Sequence, residues 1–296
     1  MLGTWIDRAI SIVSPAWAAR RMLARATMSQ IEAFSASPGG YDAGKLNRLT
    51  KAWANQNYNE NAIPREQVQS LRQRSWDLFR NNCHARKIVR NLTSKVIGRG
   101  MTPQSQAVND DGTANVEFRQ RARKIWADIT DEIDYFGRPG KGGQHLSELA
   151  KSALRGVILG GETLYRVLPI TTGKARKLGL TLPLQLQLIS ADRLDAHGQT
   201  ESSSGNEIWF GIELNTDGTR AAYYILDRHP SEPLGAMARP ARVPADEIGH
   251  VYVADDIGQL RGVPWFAAAL MQMRDTGDYQ FNELKASAVA ACVALG

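Results

Sequence analysis

The pattern of apolar positions along the chain changes from helical to extended near residue 160. Between residues 64 and 160, apolar residues recur every three or four positions, a spacing that places them on one face of an α-helix. After residue 160 the period becomes two, as in half-buried strands. Helices that come first and strands that come later predict an α+β protein, not an alternating doubly wound one.

Four helices are predicted in the first part. The first begins at Pro64, where the missing N–H costs nothing, and is interrupted at Asn81 and Asn82. The second ends at Gly98 and the fourth at Gly160. The predicted apolar faces, in chain order, consist of Val68, Leu71, Trp76 and Phe79; Ala85, Ile88, Val89, Leu92 and Val96; Phe118, Ala122, Ile125, Trp126 and Ile129; and Leu146, Leu149, Ala150, Ala153, Leu154, Val157 and Ile158.

The second part predicts an antiparallel β-rich segment followed by a further helix. Asn215–Gly218 separates two apolar runs and predicts a hairpin, because glycine accepts the positive φ that such turns need. In the strand of alternating leucines, the glutamines and Pro183 point to the opposite face. Pro264 is predicted to open the last helix. The predicted strands are Thr163–Ile170, Leu182–Leu188, Glu207–Leu214, Thr219–Leu226 and His250–Val253.

These patterns divide the chain into four predicted parts. Residues 1–60 form an N-terminal arm with a breaker at Ser37–Gly40. Residues 61–160 are helical, residues 161–263 are β-rich, and residues 264–296 begin a helix that is still helical in pattern at Gly296. We therefore expect the chain to be the N-terminal piece of a longer protein, or an unusually short one.

Composition and charge narrow the class of partner. The 296 residues are 43% hydrophobic and 22% charged, as in globular proteins, and no run approaches the ~18 apolar residues of a membrane helix. The net charge is +6, and residues 61–100 hold nine basic and two acidic residues. This local positive charge indicates a surface that binds an acidic partner. The alternative interpretation is that these residues form a helix face exposed only to solvent. The candidate DNA or partner contacts are Arg80, Arg86, Lys87, Arg90, Lys95 and Arg99.

The sequence contains no complete catalytic motif among the common ones. The loop at Gly137–Gly143 contains Gly-Lys, but Tyr135 and Gly142 replace the glycine and the hydroxyl that a phosphate-binding loop needs. Neither Gly-x-Ser-x-Gly nor His-Glu-x-x-His occurs. The two cysteines are far apart and have no zinc-ligand spacing. The sequence therefore predicts no enzyme, no cofactor and no metal.

Carboxylates at strand ends leave one enzymatic alternative. Asp192, Asp195 and Asp246 could serve as metal ligands of a DNA-processing nuclease. The simpler interpretation is that Asp192 caps a turn, that Asp246 caps a helical turn after Pro244, and that Arg193 pairs with a neighbouring aspartate.

Seven short segments occur in order between about Arg65 and Ala290. They are Leu71–Asn82, Asn91–Gly100, Gly161–Arg166, Leu186–Asp195, Gly211–Glu213, Ala222–Leu226 and Gly258–Trp265. Together with Arg242–Val253, their order resembles that of the lambda-type portal proteins of tailed bacteriophages. Asp255 and Asp256 depart from that pattern, which has more basic character at this loop.

The resemblance implies a fold and a role. It implies a ring of about a dozen identical subunits at the capsid vertex of the virion, assembled in the bacterial host cytoplasm without contact with a membrane. The implied partners are terminase, major capsid and scaffold proteins, head-completion proteins and double-stranded DNA. Residues 61–263 would form the wing, and residues 264–296 would lead toward stem and clip regions absent here. The candidate structural or interface residues are Gly161, Glu162, Asp192, Arg193, Gln259, Arg261, Gly262, Pro264 and Trp265. A virion or scaffold adaptor that forms no ring is the remaining alternative.

Overall fold

The computed structural model describes residues 59–194 and 200–294. In the described residues, helices come first and antiparallel strands follow, which confirms the predicted α+β class. The helices are α1 (Arg65–Asn81), α2 (Cys83–Ile97), α3 (Val116–Glu132), α4 (Leu146–Gly160), α5 (Thr172–Leu178) and α6 (Leu270–Ala294). The strands are β1 (Glu162–Pro169), β2 (Leu184–Ser190), β3 (Glu207–Trp209), β4 (Ile212–Leu214), β5 (Arg220–Leu226), β6 (Pro240–Pro244) and β7 (Ile248–Tyr252).

The end of α1 and both ends of α2 follow from their capping residues. Asn82 ends α1 and also begins α2, because its side-chain oxygen accepts hydrogen bonds from the backbone N–H groups of His84 and Ala85. Gly98 closes α2 with a φ of +57°, which a residue with a Cβ atom rarely adopts. The predicted break at Asn81–Asn82 and the predicted stop at Gly98 are confirmed.

The strands form two antiparallel sheets. The first sheet has the order β2-β1-β7, with Thr163 opposite Ser190 on one side and Glu162 opposite Tyr252 on the other. The second has the order β3-β4-β5-β6 and contains the predicted hairpin, whose turn lies between β4 and β5. Since β1 follows α4 directly, the first sheet is fixed to the helices through Gly161.

Two clusters of buried apolar side chains hold these elements together. One lies among the strands and consists of Leu164, Ile189, Leu194, Ile212, Tyr223, Ile225, Val243 and Ile248. The other lies among the helices and consists of Ala85, Val89, Ile158, Leu159, Phe266 and Leu270. Each fully buried large apolar side chain stabilises the fold by about 1.5–3 kcal/mol relative to exposure. The second cluster fixes the start of α6 against α2 and α4.

The prediction that a helix opens at Pro264 is wrong. The segment after Pro264 forms single turns, and α6 begins only at Leu270. The backbone N–H of Trp265 donates to the carbonyl oxygen of Ile158 at 3.0 Å, and Phe266 packs with Ile158 and Leu159. Contacts with the end of α4, rather than local helix signals, therefore set the conformation of this segment.

The β-rich part also differs from the prediction in its boundaries. The run Glu207–Leu214 is two strands, because Phe210 has a φ of +47° and turns the chain between them. Strand β6 is not among the predicted strands, and its prolines lie at its two ends. Helix α5 was missed, although Thr171 and Gly179 cap it at either end.

Several side chains lie in environments that periodicity did not indicate. Phe118 and Ile125 were predicted on the apolar face of α3 but are 54% and 40% exposed. Ile88 and Val96 were predicted on the apolar face of α2 but are 43% and 66% exposed; the buried stripe is Ala85, Val89 and Thr93. Gln185 was predicted opposite the leucines of β2 and is nevertheless buried, because it donates to the carbonyl oxygen of Asp134. Both faces of β2 are therefore covered.

The predicted division into four parts stays a prediction. Its first part, residues 1–60, lies almost wholly outside the described residues. Within the described ranges, no helix combines the length and the apolar character that crossing a bilayer requires.

Candidate functional site

The centre of the described structure is a fully buried carboxylate, Glu162, at the start of β1. Its Oε1 atom accepts hydrogen bonds from Nη2 of Arg72 on α1 and Nε of Arg261, both at 2.6 Å. Its Oε2 atom accepts from the backbone N–H of Gly262 and from Nε2 of His250 on β7, both at 2.9 Å. One side chain therefore joins α1, the central strand β1, the outer strand β7 and the segment before α6. We call Glu162, Arg72, Arg261 and His250 the buried charge cluster.

The charges in this cluster are set by burial and by the arginines. Burial alone would raise the pKa of Glu162, but the guanidinium groups of Arg261 and Arg72 outweigh it and hold the pKa well below its usual range. Burial lowers the pKa of His250 despite the neighbouring carboxylate, so this ring is neutral at pH 7. Its Nδ1 atom lies 3.4 Å from Nη1 of Arg220, which can only donate, so the ring proton is on Nε2, facing Glu162.

Arg261 extends the cluster to the second sheet. Its Nη1 atom donates to the carbonyl oxygen of Phe210, in the turn between β3 and β4, at 2.6 Å. The guanidinium groups of Arg72 and Arg261 also approach the carbonyl oxygen of Ala191, at 3.4 and 3.5 Å. Because Glu162 has no exposed surface and a low pKa, it can neither reach a substrate nor accept a proton near neutral pH. Its chemistry is that of a structural counter-ion.

The loop from residue 253 to residue 262 is held by Gln259. The side-chain oxygen of Gln259 accepts from the backbone N–H groups of Asp255 and Asp256, and its Nε2 atom donates to the carbonyl oxygen of Arg261. The hydroxyl of Tyr252 donates to the backbone oxygen of Gln259 at 2.5 Å. Asp255 and Asp256 thus occupy a loop with a fixed backbone.

Two glycines make the close approach of this loop to α4 possible. Gly161 has a φ of +85°, and a Cβ atom there would lie 2.5 Å from the carbonyl oxygen of Gly262. A Cβ atom on Gly262 would overlap the backbone of Gly161. The next residues continue the contact: Pro264 is fully buried, whereas Trp265 is 47% exposed although its backbone N–H is bound to Ile158.

Asp192 and Arg193 lie beside the cluster but make different contacts from those predicted. Asp192 pairs with His229, with 3.3 Å between Oδ2 and Nε2, and the turn is capped by Ser190 instead. The guanidinium of Arg193 donates to the carbonyl oxygens of Leu226 and Asp227 and makes no ion pair with Asp192, the one predicted aspartate partner that the structure describes. Asp195 lies outside the described residues.

A groove of about 620 Å³ runs past Asp192, between α1, the segment after β2 and the segment after β5. Trp76 and Arg80 line one wall, and Asp192 and His229 line another. Asp246 lies in a separate short turn, Ala245–Glu247, after β6. Within residues 59–194 and 200–294, no three side chains of His, Cys, Asp or Glu lie close enough together to hold a metal ion.

A second buried carboxylate, Glu213, organises the second sheet. Arg242 donates to it from both Nε, at 2.7 Å, and Nη2, at 3.2 Å, and Asn206 donates at 3.0 Å. The hydrogen bond from Arg242 is the main reason that the pKa of Glu213 falls to about 2. This carboxylate ties β4 to β6 and to the turn before β3.

The predicted basic contacts lie at the surface of α1 and α2 and, for Arg99, just after α2. All are exposed, and no ion pair to any of them exists among the described residues. Arg80 lies over the ring of Trp76 and Arg86 over the ring of Phe79, at 5.8 and 5.7 Å. We call this set the basic surface; it consists of Arg80, Arg86, Lys87, Arg90, Lys95 and Arg99.

The structure thus brings together most of the predicted structural residues, around Glu162. Sequence reasoning missed Arg72, Arg220 and Tyr252, and it treated His250 only as a hydrogen-bonded edge residue. A signal existed for Arg72, since it lies four residues after Val68 and four before Trp76, on the predicted apolar face of α1. An arginine in that position needs a buried counter-ion.

Comparison with known proteins gives two findings. The family described as phage portal protein, lambda family, matches residues 46–295. A protein named "Probable portal protein", from Halomonas phage phiHAP-1, is 26% identical over 263 residues, which cover 83% of this chain and 47% of that protein. The chain therefore spans about half the length of the curated relative that it matches.

Proposed function

This chain belongs to the lambda family of phage portal proteins, and we propose that it is a subunit of a ring-shaped channel for double-stranded DNA at one capsid vertex. The observation that carries the proposal is the match over residues 46–295, which includes the buried charge cluster and both sheets. Portal proteins of this family are structural components of the capsid rather than enzymes. Family membership is shown by the match, whereas the ring, the passage of DNA and the partners are proposals.

The buried charge cluster supports a mechanical role for this part of the chain. Glu162 joins α1, β1, β7 and the segment before α6 without offering any surface to a ligand. A subunit that resists deformation between sheets and helices suits a channel through which DNA passes under force. Energy for packaging would come from ATP hydrolysis by the terminase motor.

The basic surface is the proposed contact for acidic partners. Its six cations have no counter-ions among the described residues, so they are available to phosphate groups or to carboxylates of another protein. Terminase, capsid and scaffold proteins, head-completion proteins and DNA are the proposed partners of the assembled ring. The proposed location is the portal vertex of the virion, after assembly in the host cytoplasm.

Negative-stain electron microscopy of the full-length protein tests the proposal. Closed rings of about a dozen subunits with a central hole are expected. A sample that stays monomeric at every concentration would contradict it. Capture of capsid protein by such a monomer would then indicate the adaptor instead.

A metal-dependent nuclease is the second candidate, and nothing in the described geometry favours it. Asp192 is paired with His229, Asp246 belongs to another turn, and no cluster with three metal-binding side chains exists in the described ranges. We therefore propose that the chain has no catalytic activity of its own.

A further inference from the structure

The last helix packs against the other helices only at its start, through Leu270 and Met273, and from Asp278 onward it has no packing partner among the described residues. Every residue from Asp278 to Cys292 is exposed, including Tyr279 at 65%, Phe281 at 57% and Leu284 at 71%. A helix of about 15 residues is only marginally stable in water without packing. Large apolar side chains on all of its sides indicate that another surface covers this part of α6 in the assembled protein.

One side of α6 carries a spaced pair of carboxylates. Asp275, Tyr279 and Glu283 follow one another at intervals of four residues, so they share one face of the helix. Both carboxylates are exposed and form no ion pair in the described structure; Glu283 accepts only a 3.4 Å hydrogen bond from the hydroxyl of Tyr279. We call these three residues the acidic face.

The cations of α6 do not neutralise the acidic face. Arg274 lies 3.7 Å from Asp278, and Lys285 lies over the ring of Phe281, with 4.3 Å from its Nζ atom to the ring centre. The acidic face therefore presents two uncompensated negative charges on either side of an aromatic ring.

Helix α2 presents the complementary pattern. Lys87, Asn91 and Lys95 also follow at intervals of four residues, are exposed, and have no counter-ion among the described residues. Beside them, Ile88 and Val96 expose apolar surface that the protomer itself does not cover. We call Lys87, Asn91 and Lys95 the lysine face.

The two charge pairs have the same spacing. Lys87 and Lys95, like Asp275 and Glu283, are eight residues apart, which is about 12 Å along a helix. Two helices placed side by side can therefore satisfy both ion pairs at once, with Tyr279 near Asn91 and the apolar side chains of α6 near Ile88 and Val96. A phosphate backbone would match the lysines but would leave the apolar surface and the carboxylates without partners.

We propose that the acidic face of one subunit packs against the lysine face of a second copy of this chain. The contact joins two different surfaces, so repeating it generates a ring when the rotation between subunits closes. This proposal rests on the proposed function, since it names the contact by which the subunits of the ring recognise each other.

Charge reversal in the full-length protein tests this contact. Lys87→Glu with Lys95→Glu, and Asp275→Lys with Glu283→Lys, each place like charges opposite each other. Either double variant is expected to raise the protein concentration needed for rings at least tenfold, because like charges across an interface are strongly unfavourable. The quadruple variant, which exchanges the charges of both faces, is expected to restore assembly. Native mass spectrometry at a series of concentrations gives the readout.

The matched control is Arg121→Glu with Lys124→Glu on α3, which reverses two exposed cations outside both faces and is expected to assemble normally. Circular dichroism confirms that each variant is folded. If the unaltered protein forms rings and both charge-reversal variants assemble equally well, this contact is wrong while the proposed function stands. A folded quadruple variant that fails to assemble also overturns the pairing. If the unaltered protein forms no ring, the proposed function fails and this contact fails with it.

Discussion

The backbones of Gly161 and Gly262 lie so close together that neither residue has room for a Cβ atom. Gly161 ends α4 and leads into β1, and Gly262 donates its N–H to the first side chain of that strand, Glu162. This contact sets the distance between the helices and the segment that leads into α6. The hydrogen bonds and ion pairs of the buried charge cluster can form only if that distance is kept.

Gly262→Ala is expected to destabilise the protein by roughly 2 kcal/mol or more, because the added methyl group meets backbone atoms of Gly161 that cannot move aside. The urea midpoint of unfolding measures the loss. Gly173→Ala is the control, since a Cβ atom there meets nothing within 4 Å. It should be neutral or stabilising by up to about 1 kcal/mol, because alanine favours the helix. Equal effects of the two changes would contradict the close contact.

Glu162→Gln keeps the shape of the side chain but leaves two buried guanidinium groups, those of Arg72 and Arg261, without a counter-charge. We expect a loss of about 3–5 kcal/mol in the free energy of unfolding. Glu247→Gln is the matched control, because its ion pair with Arg166 is partly exposed and contributes about 0–1 kcal/mol. Urea denaturation of both variants at pH 7.5 gives the comparison, and similar losses would show that the cluster is not a desolvated ion network.

Acidification is expected to destabilise the fold in a window that begins near pH 6.5. The pKa of His250 is lowered from its ordinary 6.5 by burial, so below that pH the unfolded chain binds a proton that the folded chain does not. The stability that the neutral ring contributes is therefore present above pH 6.5 and is lost as the pH falls through the folded pKa. Glu162 and Glu213 also have lowered pKa values, but their contributions are lost only below about pH 4.5.

His250→Gln isolates this histidine, since glutamine retains a donor toward Glu162 and does not titrate. The variant should show a smaller drop in urea midpoint than the unaltered protein between pH 7.5 and pH 5. An identical drop in both proteins would assign the pH dependence to other groups.

No Mg²⁺-dependent cleavage of plasmid DNA is expected from the purified protein. Asp192 is paired with His229, and the described residues contain no group of three His, Cys, Asp or Glu side chains that could hold a metal ion. Incubation of supercoiled plasmid with the protein and MgCl₂ checks this. Cleavage that is lost in an Asp192→Asn variant would favour the nuclease.

Capping and periodicity predicted the helices of the first half well because those signals are local. Asn82 and Gly98 act on the backbone within a few residues of themselves, so the chain fixes these helix ends without help from the rest of the fold. Pro264 failed for the opposite reason. Its segment is bound to Ile158, more than a hundred residues earlier, and no local pattern reports that hydrogen bond.

The candidate site was predicted as a set of residues but not as an arrangement. The order of motifs pointed to Glu162, Gln259, Arg261 and Gly262, and these residues do lie together. The partners of Glu162 on α1 and β7 could not be named, because pairing a buried charge with its counter-ions depends on which elements become neighbours. Arg72 alone carried a local signal, as a charged residue within an apolar stripe.

Native mass spectrometry of the purified full-length protein tests the central claim most directly, since it weighs each assembly. The account predicts one dominant species whose mass is a fixed integer multiple, about a dozen, of the subunit mass. Monomers alone across the accessible concentration range, or a ladder of open oligomers without a preferred size, would contradict it.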